Sequence, residues 1–236
     1  MSKFTKRSNG QEVMDNLTCS GKTVHQALKE LDFINHWLGG NKITLNGISK
    51  LLPKEISGNS VSVVDIGCGS GSILTKIRAS IKRNGIRFRL LGYDANPNMI
   101  AYAETNCEDS DEIIFRTENI FQASFRSQRF DIINATLFLH HFTTDELIEL
   151  LKALKKQARV GIVINDLHRH PLAYYSIKVL TSIFSKSTMV KFDAPLSVLR
   201  GFKKKEWIEI LDKAGITNYS LTWRWAFRWQ LIIPAG

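Results

Sequence analysis

The chain lacks the features that define several common protein classes. Only 3 of its 236 residues are cysteines, and Cys19, Cys68 and Cys107 are far apart with no Cys-x-x-Cys pair. This argues against a disulfide framework and a structural zinc site, and it predicts free thiols in a reducing cytosol, hence a cytoplasmic protein. No apolar run approaches the roughly 20 residues of a membrane span. The basic N-terminus has no apolar stretch after it, so we expect no secretory signal.

Acidic residues are scarce in one part of the chain. Lys and Arg total 32 and Asp and Glu total 22, a formal net charge of +10. Segment 152–205 has twelve basic and two acidic residues and therefore accounts for the whole excess. Such a segment fits nucleic acid, an anionic membrane surface, an acidic substrate or simply a solvated face. The remaining composition, 44% hydrophobic and 23% charged, is that of an ordinary globular protein of one large domain with an appendage.

Strands and helices alternate through the middle of the chain. The polar segment 1–15 is predicted to be mobile, and apolar residues at helical spacing predict helices over 23–38 and 42–52. Strands are predicted over 61–66, 87–93, 112–116, 131–136 and 159–165, and helices over 70–82, 97–106 and 144–157. This alternation predicts a mainly parallel sheet covered by helices on both faces.

The pattern changes after the fifth strand. Segment 166–202 is too long for a simple crossover and contains a helical stretch over 172–184, which predicts an insertion over the active-site edge. A helix over 203–214 follows. Two apolar runs, 218–223 and 227–233, then predict a C-terminal hairpin.

The strongest motif is VVDIGCGSGSI, residues 63–73. A buried strand runs into glycines 67, 69 and 71, which let the backbone turn tightly and approach a ligand closely. In nucleotide-binding α/β folds the ligand lies beyond the carboxyl ends of the strands. The spacing GxGxG, two residues after Asp65, differs from the dinucleotide pattern GxGxxG, and the chain has no P-loop.

This motif resembles the first motif of class I S-adenosylmethionine-dependent methyltransferases. The resemblance covers about residues 61–233. It implies an α/β fold with a Rossmann-like doubly wound sheet, mostly parallel with one antiparallel C-terminal strand, and S-adenosyl-L-methionine as cofactor. Residues 1–55 would form an N-terminal helical cap and 56–236 the methyltransferase domain, with a helical lid over 166–202. The loop residues implied to contact the methionine part of the cofactor are Asp65, Gly67, Cys68, Gly69, Ser70 and Gly71.

The other implied cofactor contacts follow strands two and three or lie at the end of strand four. Asp94 ends strand two, where the family places the carboxylate that binds the ribose hydroxyls; the alternative is a helix N-cap. After strand three, Asn119 takes the position of the family's adenine-binding aspartate, with Glu118 adjacent, and its side-chain oxygen can accept the same hydrogen bond. The remaining implied contacts are Ala95, Met99, Ile120, Ala135 and Thr136.

Histidines follow strands four and five, at the rim that would hold the methyl acceptor. A histidine can take a proton from the acceptor, and we predict His168 first and His141 second as catalytic. The alternative is that Asp166 and Arg169 form ion pairs that merely fix the insertion. Adjacent histidines point in different directions, so we expect no metal. The predicted substrate-binding residues are Trp37, His140, Arg169, His170, Tyr174, Tyr175 and Arg200.

The acceptor class rests on narrower resemblances. The chain lacks the Asn/Asp-Pro-Pro-aromatic motif of enzymes that methylate nucleobases or glutamine, so we do not expect a nucleic-acid partner. Segments DLHRHPLAYY and SVLRGF resemble ubiquinone/menaquinone biosynthesis methyltransferases and bacterial methyltransferases found beside type III polyketide synthases. This implies O-methylation of a small aromatic or polyketide-like acceptor. C-methylation of a quinone precursor, RNA modification and a non-enzymatic cofactor-binding module stay open.

The helical cap and lid are expected to close over the acceptor. The cap presents Trp37, and the lid presents Leu172, Tyr175, Val179 and Ile183 at helical spacing. The lysines and arginines of 152–205 would then point outward. This layout would suit a hydrophobic acceptor at a membrane or carrier-protein surface.

Overall fold

Seven strands form one sheet. The computed structural model describes residues 2–52, 60–81, 87–107 and 112–235. The strands are β1 Ser60–Ile66, β2 Arg87–Asp94, β3 Ile113–Thr117, β4 Phe130–Thr136, β5 Ala158–Leu167, β6 Ser220–Arg224 and β7 Arg228–Pro234. Their order is β3-β2-β1-β4-β5-β7-β6. The first five are parallel, and β7 is antiparallel to both its neighbours. The predicted α/β sheet, with one antiparallel C-terminal strand, is confirmed.

Nine α-helices lie within the described ranges. They are α1 Lys22–Trp37, α2 Gly40–Leu51, α3 Ser72–Ile81, α4 Pro97–Asn106, α5 Ala123–Arg126, α6 Thr144–Gln157, α7 Pro171–Phe184, α8 Thr188–Arg200 and α9 Lys204–Lys213. Two short 3₁₀ helices span Val13–Asp15 and Leu139–His141. The sequence did not predict α8, which contains Pro195, a residue that removes a helical hydrogen bond. In this part of the chain no helix has both the length and the apolarity of a membrane span.

Apolar clusters cover both faces of the sheet. Successive residues of β1 divide between them: Val64 joins the cluster under α6 and α9, and Val63 joins the cluster under α2 and α3. Both side chains are fully buried. Strands buried on both faces read as continuous apolar runs, which is why β1 is recognisable in the sequence.

The N-terminal segment is tied to the domain. Arg7 donates hydrogen bonds to the carbonyl oxygens of Arg200 (2.8 Å) and His140 (3.0 Å). The first N–H groups of the 3₁₀ helix Val13–Asp15 donate to the carboxylate of Asp193 on α8. The prediction of a mobile segment is therefore wrong, because contacts with residues far along the chain hold it in place.

The lid helix α7 turns its predicted closing face outward. Its four predicted contact residues are 54–66% exposed: Leu172, Tyr175, Val179 and Ile183. The opposite face, with Ala173, Ile177 and Leu180, lines the cavity described below. Both faces of α7 are apolar, so periodicity identifies the helix but does not tell which face is inside. Trp37 on α1 is likewise 73% exposed and packs on Phe33.

The expectation that every basic residue of 152–205 points outward is also wrong. Arg169 is 1% and Arg200 6% exposed. Buried arginines need hydrogen-bond partners, and both have them. Arg169 donates to the carbonyl oxygen of Gly201 and to Glu206 (both 2.5 Å), which joins the end of α8 to α9.

Candidate active site

A large cavity lies at the carboxyl ends of the parallel strands. Its volume is about 1040 Å³, and it is lined by the N-terminal segment, α1, the loops after β1, β2, β3 and β4, the inner faces of α7 and α8, and the start of β7. This is the upper end of the usual range for small-molecule sites. The cavity therefore has room for a cofactor and an acceptor together.

The glycine loop forms one wall of the cavity. Gly67 has φ +67°, and a Cβ there would meet the Phe138 ring at 2.1 Å, so glycine is needed for packing. Gly69 has φ +50°, and a Cβ there would meet only Leu28, at 3.7 Å. Both Gly69 and Leu28 line the cavity. The space over Gly69 is therefore left clear for a ligand.

Two carboxyl groups flank this loop. Asp65 is 2% exposed and accepts a hydrogen bond from Asn134 Nδ2 (2.5 Å); burial raises the pKa of Asp65 to about 7. Asp94 accepts hydrogen bonds from the N–H groups of Gly69 (3.2 Å) and Asn96 (2.9 Å), and burial raises the pKa of Asp94 as well. Asp94 thus fixes the loop and still has lone pairs for ribose hydroxyls.

Most predicted cofactor residues meet at this end of the cavity. Those that line it are Asp65, Gly67, Cys68, Gly69, Ser70, Asp94, Ala95, Met99, Asn119, Ile120 and Thr136. Asn119 Oδ1 accepts the N–H of Phe121 (2.9 Å), which leaves one lone pair for the predicted adenine contact. Gly71 and Ala135 are not among the lining residues; Gly71 packs against Phe115, and Ala135 belongs to the core. The donors, acceptors and open glycine surface fit S-adenosylmethionine, a zwitterion with a ribose and an adenine.

A histidine–aspartate pair also lines the cavity. His141 Nδ1 lies 2.5 Å from Asp15 Oδ1, and both residues line the cavity. The other carboxylate oxygen of Asp15 accepts from Arg200 Nη1 (2.5 Å). Burial alone would raise the pKa of Asp15, but the hydrogen bonds from His141 and Arg200 hold it well below its ordinary value. In a neutral imidazole whose Nδ1 donates to Asp15, Nε2 is the acceptor.

A second pair lies directly behind the first. His140 is 3% exposed, and its Nδ1 lies 2.7 Å from Asp166 Oδ1. Its Nε2 is 3.7 Å from Glu12 Oε1, a buried oxygen that accepts no hydrogen bond from the described residues. Glu12 Oε2 accepts from Ser197 (2.7 Å), and burial raises the pKa of Glu12 to about 7.

Among the described residues, one group has potential ligand atoms within 4.8 Å of one another, as in a metal site. It consists of Glu12, His140 and His141. However, the guanidinium of Arg200 lies 3.4 Å from Glu12 Oε1. A fixed positive charge at that distance opposes a divalent cation. The arrangement is better described as a buried hydrogen-bonding network that orients His141.

Several predicted acceptor residues lie elsewhere. His168 does not line the cavity; its Nδ1 accepts from Trp223 Nε1 (3.1 Å), and burial, followed by neighbouring positive charges, lowers its pKa to about 4. His170 caps α7 and stacks on Phe227. Arg169, Tyr174, Tyr175 and Trp37 are likewise not among the lining residues, whereas His140, His141 and Arg200 are. The geometry therefore favours His141 over His168 as the base.

Three residues of the N-terminal segment contribute to the site without a signal in the sequence. Arg7, Glu12 and Asp15 all line the cavity. Asp15 lies 126 positions before His141 in the chain. A polar segment with no hydropathy period gives no signal for such a contact.

Glu12 is expected to make the free energy of unfolding depend on pH. Burial raises the pKa of Glu12 from its ordinary 4.5 to about 7 in the folded protein. Its contribution to the free energy of unfolding is therefore fully present below pH 4.5 and is lost as the pH rises through 7. In Glu12→Gln this loss should be absent. The free energy of unfolding of the variant relative to the native protein should rise by about 2–3 kcal/mol between pH 4.5 and 8.

Urea denaturation at pH 4.5 and pH 8 measures this difference directly. Asp65 titrates in the same direction, but it is present in both proteins and cancels in the comparison. A difference that stays constant with pH would show that Glu12 remains ionised in the fold.

Comparisons with known proteins agree with this geometry. Residues 63–161 match a family model described as "Methyltransferase domain". A curated relative is the carboxy-S-adenosyl-L-methionine synthase of Campylobacter jejuni, 23% identical over 216 residues that cover 83% of this chain and 85% of the relative.

Solved structures show the same fold. The plantazolicin methyltransferase BpumL in complex with SAH superposes with a TM-score of 0.65 at 17% identity, covering 91% of this chain and 96% of that one. CurJ carbon methyltransferase gives 0.62 at 17% identity and 83% of this chain. Human N-acetylserotonin methyltransferase in complex with SAM gives 0.61 at 16% identity and 90% of this chain. This chain spans about half the length of the last two, 54% and 56%.

Proposed function

We propose that this protein, whose residues 63–161 match a family model described as "Methyltransferase domain", is an S-adenosylmethionine-dependent methyltransferase that methylates an oxygen atom of a small acceptor. The observation that carries the proposal is the Asp15–His141 pair on the cavity wall. A phenol or carboxylic acid becomes a better nucleophile when a base removes its proton. His141, with Nδ1 occupied by Asp15, has Nε2 free for that step.

Two groups of cavity residues have different roles in this proposal. The glycine loop, Asp65 and Asp94 would hold S-adenosylmethionine, which supplies an electrophilic methyl group when bound. His141 would accept the acceptor's proton on Nε2, and Asp15, kept ionised by Arg200, would stabilise the imidazolium that forms. Apolar side chains on the cavity wall, Phe138, Phe142, Ile177 and Leu180, would exclude water from the acceptor.

A methyl-transfer assay with product analysis tests the proposal. The protein and S-adenosylmethionine are incubated with phenolic acids, quinol precursors and alkylresorcinols. Mass spectrometry then detects methylated products, and carbon NMR distinguishes methoxy from carbon-bound methyl groups. We expect methoxy products from at least one class. Because a relative is a carboxy-S-adenosyl-L-methionine synthase, the cofactor pool is analysed too. Carbon methylation throughout, or a carboxylated cofactor without a methylated acceptor, would contradict the proposal.

A further inference from the structure

Arg228 lines the cavity with a buried guanidinium, two of whose nitrogens lack hydrogen-bond partners among the described residues. It is the first residue of β7 and is 3% exposed. Within the described part of the chain, its Nε and Nη1 atoms have no hydrogen-bond acceptor. These atoms carry three N–H bonds. A buried charge that lacks hydrogen bonds is costly, so this vacancy calls for a ligand.

The carboxylate whose charge acts on Arg228 is already occupied. Asp166 Oδ1 accepts from His140 Nδ1 (2.7 Å) and from the N–H of Leu167 (2.7 Å). Its Oδ2 accepts from the N–H of His140 (3.1 Å). Asp166 therefore holds His140 and offers Arg228 only a distant charge.

The other cavity arginines are satisfied. Arg200 donates to Asp15 and to the carbonyl oxygens of His140 and His141. Arg7 donates through Nε and Nη2 to backbone carbonyls. Arg228 differs from both because it lines the cavity while two of its guanidinium nitrogens, Nε and Nη1, have no acceptor among the described residues.

Arg228 lies on the acceptor side of the cavity. In the sheet, β7 is three strand spacings from β1, roughly 14 Å from the glycine loop. Its neighbours on the wall are apolar: Leu167, which pairs with Arg228 in the sheet, together with Trp225 and Phe227. One positive charge among apolar and aromatic side chains matches one negative charge on an apolar or aromatic body.

We infer that Arg228 binds a carboxylate of the methyl acceptor, so that the substrate class is a small aromatic or apolar carboxylic acid. This inference rests on the proposed function, because it names the substrate of the same cavity. Arg228 then selects and positions the acceptor, while His141 acts on the atom that is methylated. A neutral acceptor would leave the guanidinium unpaired.

Binding measured without turnover tests the inference separately from the chemistry. The probes are three carboxylate–amide pairs: 4-hydroxybenzoate, 3,4-dihydroxybenzoate and 4-hydroxycinnamate, each against its primary amide. Isothermal titration uses the full chain saturated with S-adenosylhomocysteine. We expect the carboxylate of at least one pair to bind about ten- to a hundredfold more tightly than its amide, the range for hydrogen bonds to charged groups.

Arg228→Met should abolish that preference, and Arg228→Lys should retain part of it. The matched control is Arg224→Met on the same hairpin, whose guanidinium already bonds Gln230. The control should keep the full preference. Because Arg228→Met removes an unpaired buried charge, its urea midpoint should equal or exceed that of the native protein.

Three outcomes would overturn the inference. One is equal binding of carboxylates and amides, and another is a preference that survives in Arg228→Met. The third is a loss of S-adenosylhomocysteine affinity in Arg228→Met with acceptor preference unchanged, which would assign Arg228 to the cofactor. Carboxylate binding through Arg228 with no methylated product would instead support the inference and count against the proposed function alone.

Discussion

Replacing His141 with alanine is expected to lower turnover by about 10²–10⁴, the usual contribution of a positioned general base. The loss should fall on kcat, while affinity for S-adenosylhomocysteine stays near that of the native protein, because the proposal gives His141 a role toward the acceptor and none in binding the cofactor. Added imidazole should restore part of the activity, since it can replace the missing ring in the space that alanine leaves.

His168→Ala is the discriminating control. It removes the same side chain from the position that the sequence favoured, where the ring bonds Trp223 outside the cavity. It should change turnover far less than His141→Ala. If the two variants lose equal activity, the geometric choice of His141 is wrong. If neither loses activity, alignment of acceptor and cofactor alone accounts for the chemistry.

Asp15 should act through His141 rather than on the acceptor. Asp15→Asn keeps the shape but removes the charge that stabilises the imidazolium, so its kcat should fall without a matching rise in KM. The contacts of Asp15 with Arg200 and with the N–H of Glu12 also hold the N-terminal segment. Asp15→Asn removes the charge, whereas Asp15→Ala also removes the side chain that makes these contacts. Comparing the kcat of the two variants therefore separates loss of charge from loss of packing.

The glycine loop was predictable because its residues are contiguous in sequence. A buried strand, a tight turn with positive φ and a helix start all lie between residues 60 and 72. Local sterics require glycine there, so the motif carries the geometry in itself. Asp94 follows the neighbouring strand, and the parallel pairing of β1 with β2 brings it to Gly69.

The acceptor end was not predictable in the same way. It brings together the N-terminal segment, the turn after β4, the end of β5, α8 and β7. Contacts such as Asp15–His141 or Arg7–Arg200 arise from packing between distant segments, and no periodicity records them. Histidines follow both β4 and β5 in the sequence, and the sequence favoured His168, the one after β5, over His141. The backbone after β5 turns His168 toward Trp223, and the turn after β4 brings His141 to the cavity.

The excess of basic residues in 152–205 was also only partly interpretable from the sequence. A count of charges in 152–205 treats Arg169, Arg200 and the surface lysines alike. Burial separates them, because Arg169 and Arg200 hold the lid to the N-terminal segment and to α9. Arg228 lies outside that segment, and the sequence did not predict it as a site residue. The role inferred for Arg228 depends on its lack of hydrogen-bond acceptors among the described residues, which only the folded structure reveals.

Substituting leucine for Gly69 is expected to abolish measurable binding of S-adenosylhomocysteine. The Cβ would point into open cavity, with Leu28 as its one neighbour within 4 Å. The rest of the leucine side chain would occupy the space that the cofactor needs. Forcing side-chain atoms into filled space costs about 3 kcal/mol at the upper end of the usual range, which is more than a hundredfold in Kd.

Gly215→Leu provides the matched control for backbone strain. Gly215 ends α9 with φ +67°, and a Cβ there would have no neighbour within 4 Å. Leucine at either position therefore carries a similar cost of about 1–2 kcal/mol for left-handed backbone, and urea denaturation should show similar losses of stability. Calorimetry should show lost cofactor binding in Gly69→Leu alone. Equal affinities in the two variants would mean that the cofactor does not lie over Gly69, and the glycine loop would then be needed for the turn only.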